Sequence, residues 1–281
     1  MTSVRSLCLP LCVLACVLLL GGCQRSSSFT VKVEGMKVPR EYPIWVDISN
    51  WNGEVQVVAS DRYSQPEVRA RVRALSDAAP RSAEDLRKTV RVRAISNEES
   101  GKRVLRIQGD AATVPTPPVA LDLQVRIPRS WGVRVANSGG TVELVGVAGP
   151  IDVQNGSPGK PGGSIDIRTG RAITEPVTLI TQNGTIQYLV GPGSTGKIEA
   201  TTTEGMPFVD ARVGTVSGVN YQGNLWRGNL GEARNPILLR THKGDARILV
   251  LENAGEIGRE YWDGWPEWPT SPRWIAKLGG E

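Results

Sequence analysis

Two carboxylates fall at the same position of two look-alike segments. Glu143 in GTVEL and Asp166 in GSIDI each lie three residues after a glycine. A pair of carboxylates at suitable separation can share the acid and base steps of glycoside hydrolysis, or offer oxygen ligands to a hard cation. The equivalent position of the next segment, GTIQY, holds Gln187, so the acidic row stops there. Other catalytic sets are poorly supplied. His242 is the only histidine and precedes Lys243-Gly244, where a solvated turn residue is expected. The serines form no nucleophile-elbow pattern. All four cysteines fall within the first 23 residues, which leaves the rest of the chain no thiolate site for catalysis or metal. The residue types therefore argue for a chain without catalytic residues, metal or cofactor, with a carbohydrate-active enzyme using paired surface carboxylates as the alternative.

Two other groups of side chains could bind without reacting. Arg69, Arg71 and Arg73 alternate with Val68, Ala70, Val72 and Ala74, so a strand there puts three guanidiniums on one face. Arg91 and Arg93 repeat the pattern. Such a face suits lipid phosphates or acidic glycans, or is a solvated strand surface. Near the C-terminus, Trp262, Trp265 and Trp268 are spaced by three, and Trp274 follows among Pro266, Pro269 and Pro272. Proline favours an extended helix of three residues per turn, which places the first three tryptophans on one side. They could stack on sugars, sit at a membrane interface or recruit a protein, or fold back over an open edge or end of the domain.

The elements that position these residues are strands. Alternation of apolar and polar residues dominates in TVRVRAI (89–95), RVLRI (103–107) and VALDLQVRIP (119–128). In the last, Leu121, Leu123, Val125 and Ile127 form one face. The best helical stretch is 82–88, which starts on a serine with acidic residues in its first turn. Aligned glycines expose a degenerate repeat: GTVEL at 140, GSIDI at 163, GTIQY at 184, a weaker GMPFV at 205 and GDARI at 244. The inward ladder expected from period-two alternation is Val142/Leu144, Ile165/Ile167 and Ile186/Tyr188. Further short strands are expected over 151–153 and 177–180. Units that cannot bury their apolar faces alone form a core by stacking. The expected fold class is all-β, a β-helix or β-solenoid with a β-rich N-terminal section, with a β-sandwich as the alternative.

The ends of the chain read differently from its middle. Residues 7–20 are apolar but interrupted by Pro10 and preceded by Arg5, too short for a bilayer core of about 30 Å and typical of an export signal. Leu20-Gly21-Gly22-Cys23 resembles a bacterial lipobox. That resemblance implies cleavage before Cys23 and acylation of its thiol, so that residues 1–22 are a lipoprotein signal and 23–28 a lipidated cysteine with a short tether. The β-repeat domain is expected over 29–253 and a Trp/Pro-rich tail over 254–281. Multiple acyl chains would anchor the protein in a membrane without spanning it. No aspartate follows Cys23, which favours the outer membrane where there are two. The net charge of +5 is mild and suits anionic surfaces, and export argues against nucleic acid; the expected partners are the membrane through the N-terminal lipid and an envelope glycan, anionic lipid or protein.

ISNWNGEVQVVASDRYSQPEVRARVRA, VALDLQVRIPRSWGVRVANSGGTVELVGVAGPIDVQNG, ITQNGTIQYLV and ILLRTHKGDARILV together resemble the DUF4097-type β-repeat family of adhesin-like bacterial envelope proteins, over about residues 47–250. The resemblance implies an all-β, β-helical fold in the envelope. The turn NGSPGKPGG and the Trp-rich tail depart from the family pattern.

Overall fold

The structure is a computed structural model that describes residues 25–35, 43–77, 79–80, 82–112, 119–156 and 160–256. Alternation becomes strand throughout. In chain order the elements are β1 (Ser26–Val31), β2 (Val33–Glu34), β3 (Ile44–Asn50), β4 (Val55–Ala59), β5 (Glu67–Ala74), α1 (Ala83–Lys88), β6 (Val90–Glu99), β7 (Lys102–Ala111), β8 (Val119–Ile127), β9 (Ser130–Asn137) and β10 (Val142–Val145). They continue as β11 (Ile151–Asn155), β12 (Ile165–Thr169), β13 (Val177–Asn183), β14 (Ile186–Val190), β15 (Gly196–Glu204), β16 (Pro207–Ala211), β17 (Val216–Gln222), β18 (Leu225–Leu230), β19 (Pro236–Lys243) and β20 (Ala246–Val250). The helix expected over 82–88 is α1. Ser82 caps it by accepting a hydrogen bond from the Asp85 amide at 3.0 Å.

The strands form two mixed sheets. The nine-stranded sheet runs β1-β5-β8-β4-β10-β12-β14-β20-β16 and the eleven-stranded sheet runs β17-β18-β15-β19-β13-β11-β9-β3-β7-β6-β2. The chain passes from the larger sheet to the smaller at β3–β4, β9–β10, β11–β12, β13–β14, β15–β16 and β19–β20, and successive passes pair in parallel. Antiparallel pairs flank this parallel run, β1·β5, β5·β8 and β6·β7 on one side and β15·β18 and β17·β18 on the other. The architecture is all-β, and its features are common to solenoids and sandwiches.

The inward ladder is in place. Val142 pairs with Ile165 and Ile165 with Ile186, while Leu144 pairs with Ile167 and Ile167 with Tyr188. All six are buried in one cluster fed by both sheets, and each aliphatic side chain so buried contributes about 1.5–3 kcal/mol.

The corners need glycine because they touch one another. Gly140 has φ of 75°, and a Cβ there would lie 2.4 Å from the Gly53 carbonyl oxygen. At Gly244, φ is 122° and a Cβ would lie 2.5 Å from the Gly184 carbonyl oxygen. That last contact corrects the linear repeat. Glycines 184, 205 and 244 follow one another in sequence, but the 244 corner stacks on 184, and 205 stacks on 244. The cause is topological: β19 and β20 insert beside β13 and β14 and separate them from β15 and β16. The β17–β18 hairpin occupies the other edge of β15.

At the N-terminal side, β1 starts at Ser26 and pairs with β5 from Ser26↔Arg73 onward. Strand therefore begins within the stretch assigned to the tether at 23–28.

Candidate functional site

Parallel register carries Glu143 and Asp166 to adjacent positions on the outward face of the nine-stranded sheet. They belong to a polar row that crosses Gln124, Gln56, Glu143, Asp166 and Gln187. Gln124 Nε2 donates to Gln56 Oε1 at 2.5 Å, and Gln56 Nε2 donates to Glu143 Oε2 at 3.1 Å. Arg168, two residues along β12, closes the row: its Nη2 donates to Glu143 Oε1 and lies 3.2 Å from Asp166 Oδ2.

One guanidinium nitrogen thus holds both carboxylates. A glycosidase needs a sugar, and in the inverting case also a water, between its two acids, and here Arg168 stands there. Burial pushes the Asp166 carboxyl up to about 8 and pulls the Arg168 guanidinium down to about 10. With Arg168 shared between two acids, burial decides that Asp166 keeps its proton near neutrality. Asp166 Oδ1 has no hydrogen-bond partner among the described residues.

Arg69, Arg71 and Arg73 do share the outward face of β5. Their partners lie at once beside them. Asp122, wholly buried on β8, accepts from Arg71 Nε at 3.1 Å, from Arg73 Nη2 at 2.9 Å and from the Glu54 amide at 3.0 Å. Arg69 Nε donates to Glu67 Oε1 at 2.6 Å. Burial pulls Arg71 below its ordinary value, whereas the hydrogen bond to Asp122 raises Arg73. Asp122 and Arg168 were not singled out from the sequence as a charge partner and a clamp. The available signal was opposite charge on alternating strands, without a way to know that β5 would pair with β8.

A cavity of about 460 Å³ lies elsewhere, lined in part by Thr30, Val33, Arg62, Tyr63, Pro66 and Glu67. Neither Glu143 nor Asp166 reaches it. Among the described residues, no group of three or more histidine, cysteine, aspartate or glutamate side chains could hold a metal ion. His242 is exposed at the end of β19.

Among the described residues, four of the six exposed large apolar side chains, Met206, Phe208, Val219 and Tyr221, belong to the segments where the sheets end, whereas Leu75 follows β5 and Trp131 lies on β9. Among the described residues, β16 pairs only with β20 and β17 only with β18. The core-facing row of the larger sheet runs from Ala200 through Trp226 to Tyr221. Ala200 and Trp226 are buried, but Tyr221 is half exposed, because the smaller sheet stops at β16. Met206, Phe208 and Val219 are exposed around the same end. Cys23, Trp262, Trp265, Trp268 and Trp274 lie outside the described residues.

No protein-family model matches the chain, and no curated protein sequence matches it. Two solved bacterial structures resemble it distantly. A proposed cell adhesion protein from Clostridium sporogenes is 9% identical with a TM-score of 0.39, covering 81% of this chain and 100% of that one. A proposed adhesin from Bacteroides fragilis is 10% identical with a TM-score of 0.28, covering 81% of this chain and 97% of that one.

Proposed function

We propose that this chain is a non-catalytic bacterial envelope lipoprotein, acylated at Cys23, whose β-solenoid of the adhesin-like DUF4097 type serves as an adhesion, scaffolding or surface-interaction module. The observation that carries the reading is the uncapped end at β16 and β17. Among the described residues β16 has one backbone edge that pairs with no strand, and the larger sheet runs on past Trp226 to Tyr221 where the smaller sheet has stopped at β16. Stacked β-structures need a polar cap to stay soluble alone, and an exposed apolar edge invites pairing. A protein partner that adds an extended strand to β16 gains main-chain hydrogen bonds and covers Tyr221.

The clamped carboxylates support the same reading against the enzyme alternative. Both acids are held by Arg168, and an acid kept for catalysis must reach its substrate.

The test is product analysis of the full chain incubated with envelope glycans and with anionic phosphatidylglycerol vesicles, alongside F208K and Y221K. The reading expects no glycan cleavage, and co-purification of an envelope protein with the acylated chain that is lost with either substitution at unchanged melting temperature. Cleavage abolished by E143Q or D166N would establish the enzyme instead.

A further inference from the structure

The eleven-stranded sheet carries two tryptophans on its outward face. On β3, Ile44, Val46 and Ile48 are buried in the core, so Trp45 and Asp47, which alternate with them, point away from the other sheet. The residue of β9 that pairs with Trp45 is Gly132, and a Cβ there would overlap the Trp45 ring. The indole therefore lies over the β9 backbone, in the room that the missing side chain leaves.

Next to it the register breaks. Ile44 pairs with Ser130 and Trp45 with Gly132, which leaves Trp131 as the extra residue of a β-bulge. A bulge re-aims a side chain, and here it turns Trp131 to the outward face. Lys102, which shares the outward side of β7 with Arg106 because Leu105 and Ile107 are in the core, holds its Nζ 5.3 Å from the Trp131 ring centroid. Trp131 is 47% exposed all the same, and a cation over an exposed ring is held weakly enough for a ligand to displace. Ser130 fixes the bulge: its hydroxyl donates to the Ala148 oxygen at 3.0 Å and accepts from the Ala148 amide at 2.6 Å. Two indoles thus neighbour each other on one sheet face.

Two residues along the strands runs a row of charges, Arg106, Asp47, Arg134 and Asp152, in register across β7, β3, β9 and β11. Arg106 Nε lies 3.7 Å from Asp47 Oδ2, and Arg134 Nε lies 3.7 Å from Asp152 Oδ2. Because cations and anions alternate, the row has no net charge to draw an anionic bilayer, which needs clustered basic residues. It offers groups that only donate and groups that only accept, by turns. A sugar hydroxyl does both, and the C–H face of a pyranose packs against the electron-rich face of an indole. We propose that Trp45, Trp131 and this row bind a neutral glycan chain of hexopyranose units, with sugar rings stacked on the indoles and hydroxyls bonded to Asp47 and Arg134. The site is separate from the β16 and β17 end, since five strands stand between β9 and β17.

The test is calorimetric titration of the full chain with cellohexaose and with chitohexaose, alongside W131A, R134A and F208K. Saturable binding of at least one hexasaccharide is expected, weakened at least ten-fold in W131A and several-fold in R134A at unchanged melting temperature, and unaltered in F208K. If W131A does not fold, R134A decides. No binding of either hexasaccharide, or binding as tight in the folded variants as in the parent chain, overturns the proposal. So does binding to phosphatidylglycerol vesicles that W131A weakens while neither hexasaccharide binds, since the face would then be a membrane contact.

Discussion

The side-chain amide of Asn50 donates to Oδ1 of Asn137 at 3.1 Å, joining two corners 87 residues apart in sequence. Asn137 in turn donates to Asn155 Oδ1 at 3.1 Å and to the Gly53 carbonyl oxygen at 3.0 Å. The ladder then changes residue type, because Asn155 pairs with Thr181 and Thr181 with Thr241, whose hydroxyl donates to the Gly184 oxygen at 2.9 Å. Each rung satisfies corner carbonyls that the strand hydrogen bonds leave over. Asn137→Ala should therefore destabilise the fold by on the order of 3 kcal/mol, the cost of stranding several buried polar groups at once. Gln154→Ala, on the exposed side of β11, should stay within about 0.5 kcal/mol. Urea denaturation of both variants checks the difference.

Tyr188 gives the opposite sign. Its ring fills the core, but its hydroxyl is buried without a hydrogen-bond partner among the described residues. Burial drives its ionisation well above the usual tyrosine range. Removing the hydroxyl in Tyr188→Phe should leave stability unchanged or raise it by about 1 kcal/mol. A loss of that size in the melting curve would mean the hydroxyl is satisfied.

Asp122 is a structural ion. Asp122→Ala leaves Arg71 and Arg73 facing each other, half-buried, and removes the acceptor of the Glu54 amide. The expected cost is about 3 kcal/mol, at the lower end for breaking a buried pair, since the arginines keep some solvent contact. Arg69→Ala, at a partly exposed pair with Glu67, should cost no more than about 1 kcal/mol. Denaturation midpoints of the two variants should separate clearly.

Asp166 predicts a pH dependence. Its folded value of about 8 lies above its ordinary 3.8, so between those values the folded chain holds a proton that the unfolded chain has released. The contribution is complete below about pH 4 and is lost as pH rises through about 8. Arg168, at about 10, stays charged across that window. Stability should fall from pH 5 to pH 8, and Asp166→Asn should flatten that fall. An equal fall in the variant would place the titration elsewhere.

Much of this was legible in the sequence. Alternation located the strands, and the aligned glycines located the corners with the ladder from Val142 to Tyr188. Period-two patterning reports only which way a side chain points within its own strand. It does not report which strand comes to lie beside it, so the insertion of β19–β20 was invisible, as was the meeting of Arg71 and Arg73 with Asp122. For the same reason Asp166 read as an outward surface acid. Its alternation was right, but the outward face of that sheet is shielded, and local sequence carries no sign of that. Cys23 and the tryptophans of the tail lie outside the described residues.

The end at β16 and β17 is the proposed place where the chain meets a protein partner. The most direct measurement replaces Phe208 or Tyr221, in the full chain, with a photo-crosslinking residue in the envelope of producing cells, with Ala136 on the exposed face as the control. One discrete protein adduct is expected at Phe208 and Tyr221, absent at Ala136 and mapped by mass spectrometry to an extended segment of the partner. No adduct at either position, or the same adducts at Ala136, would contradict it.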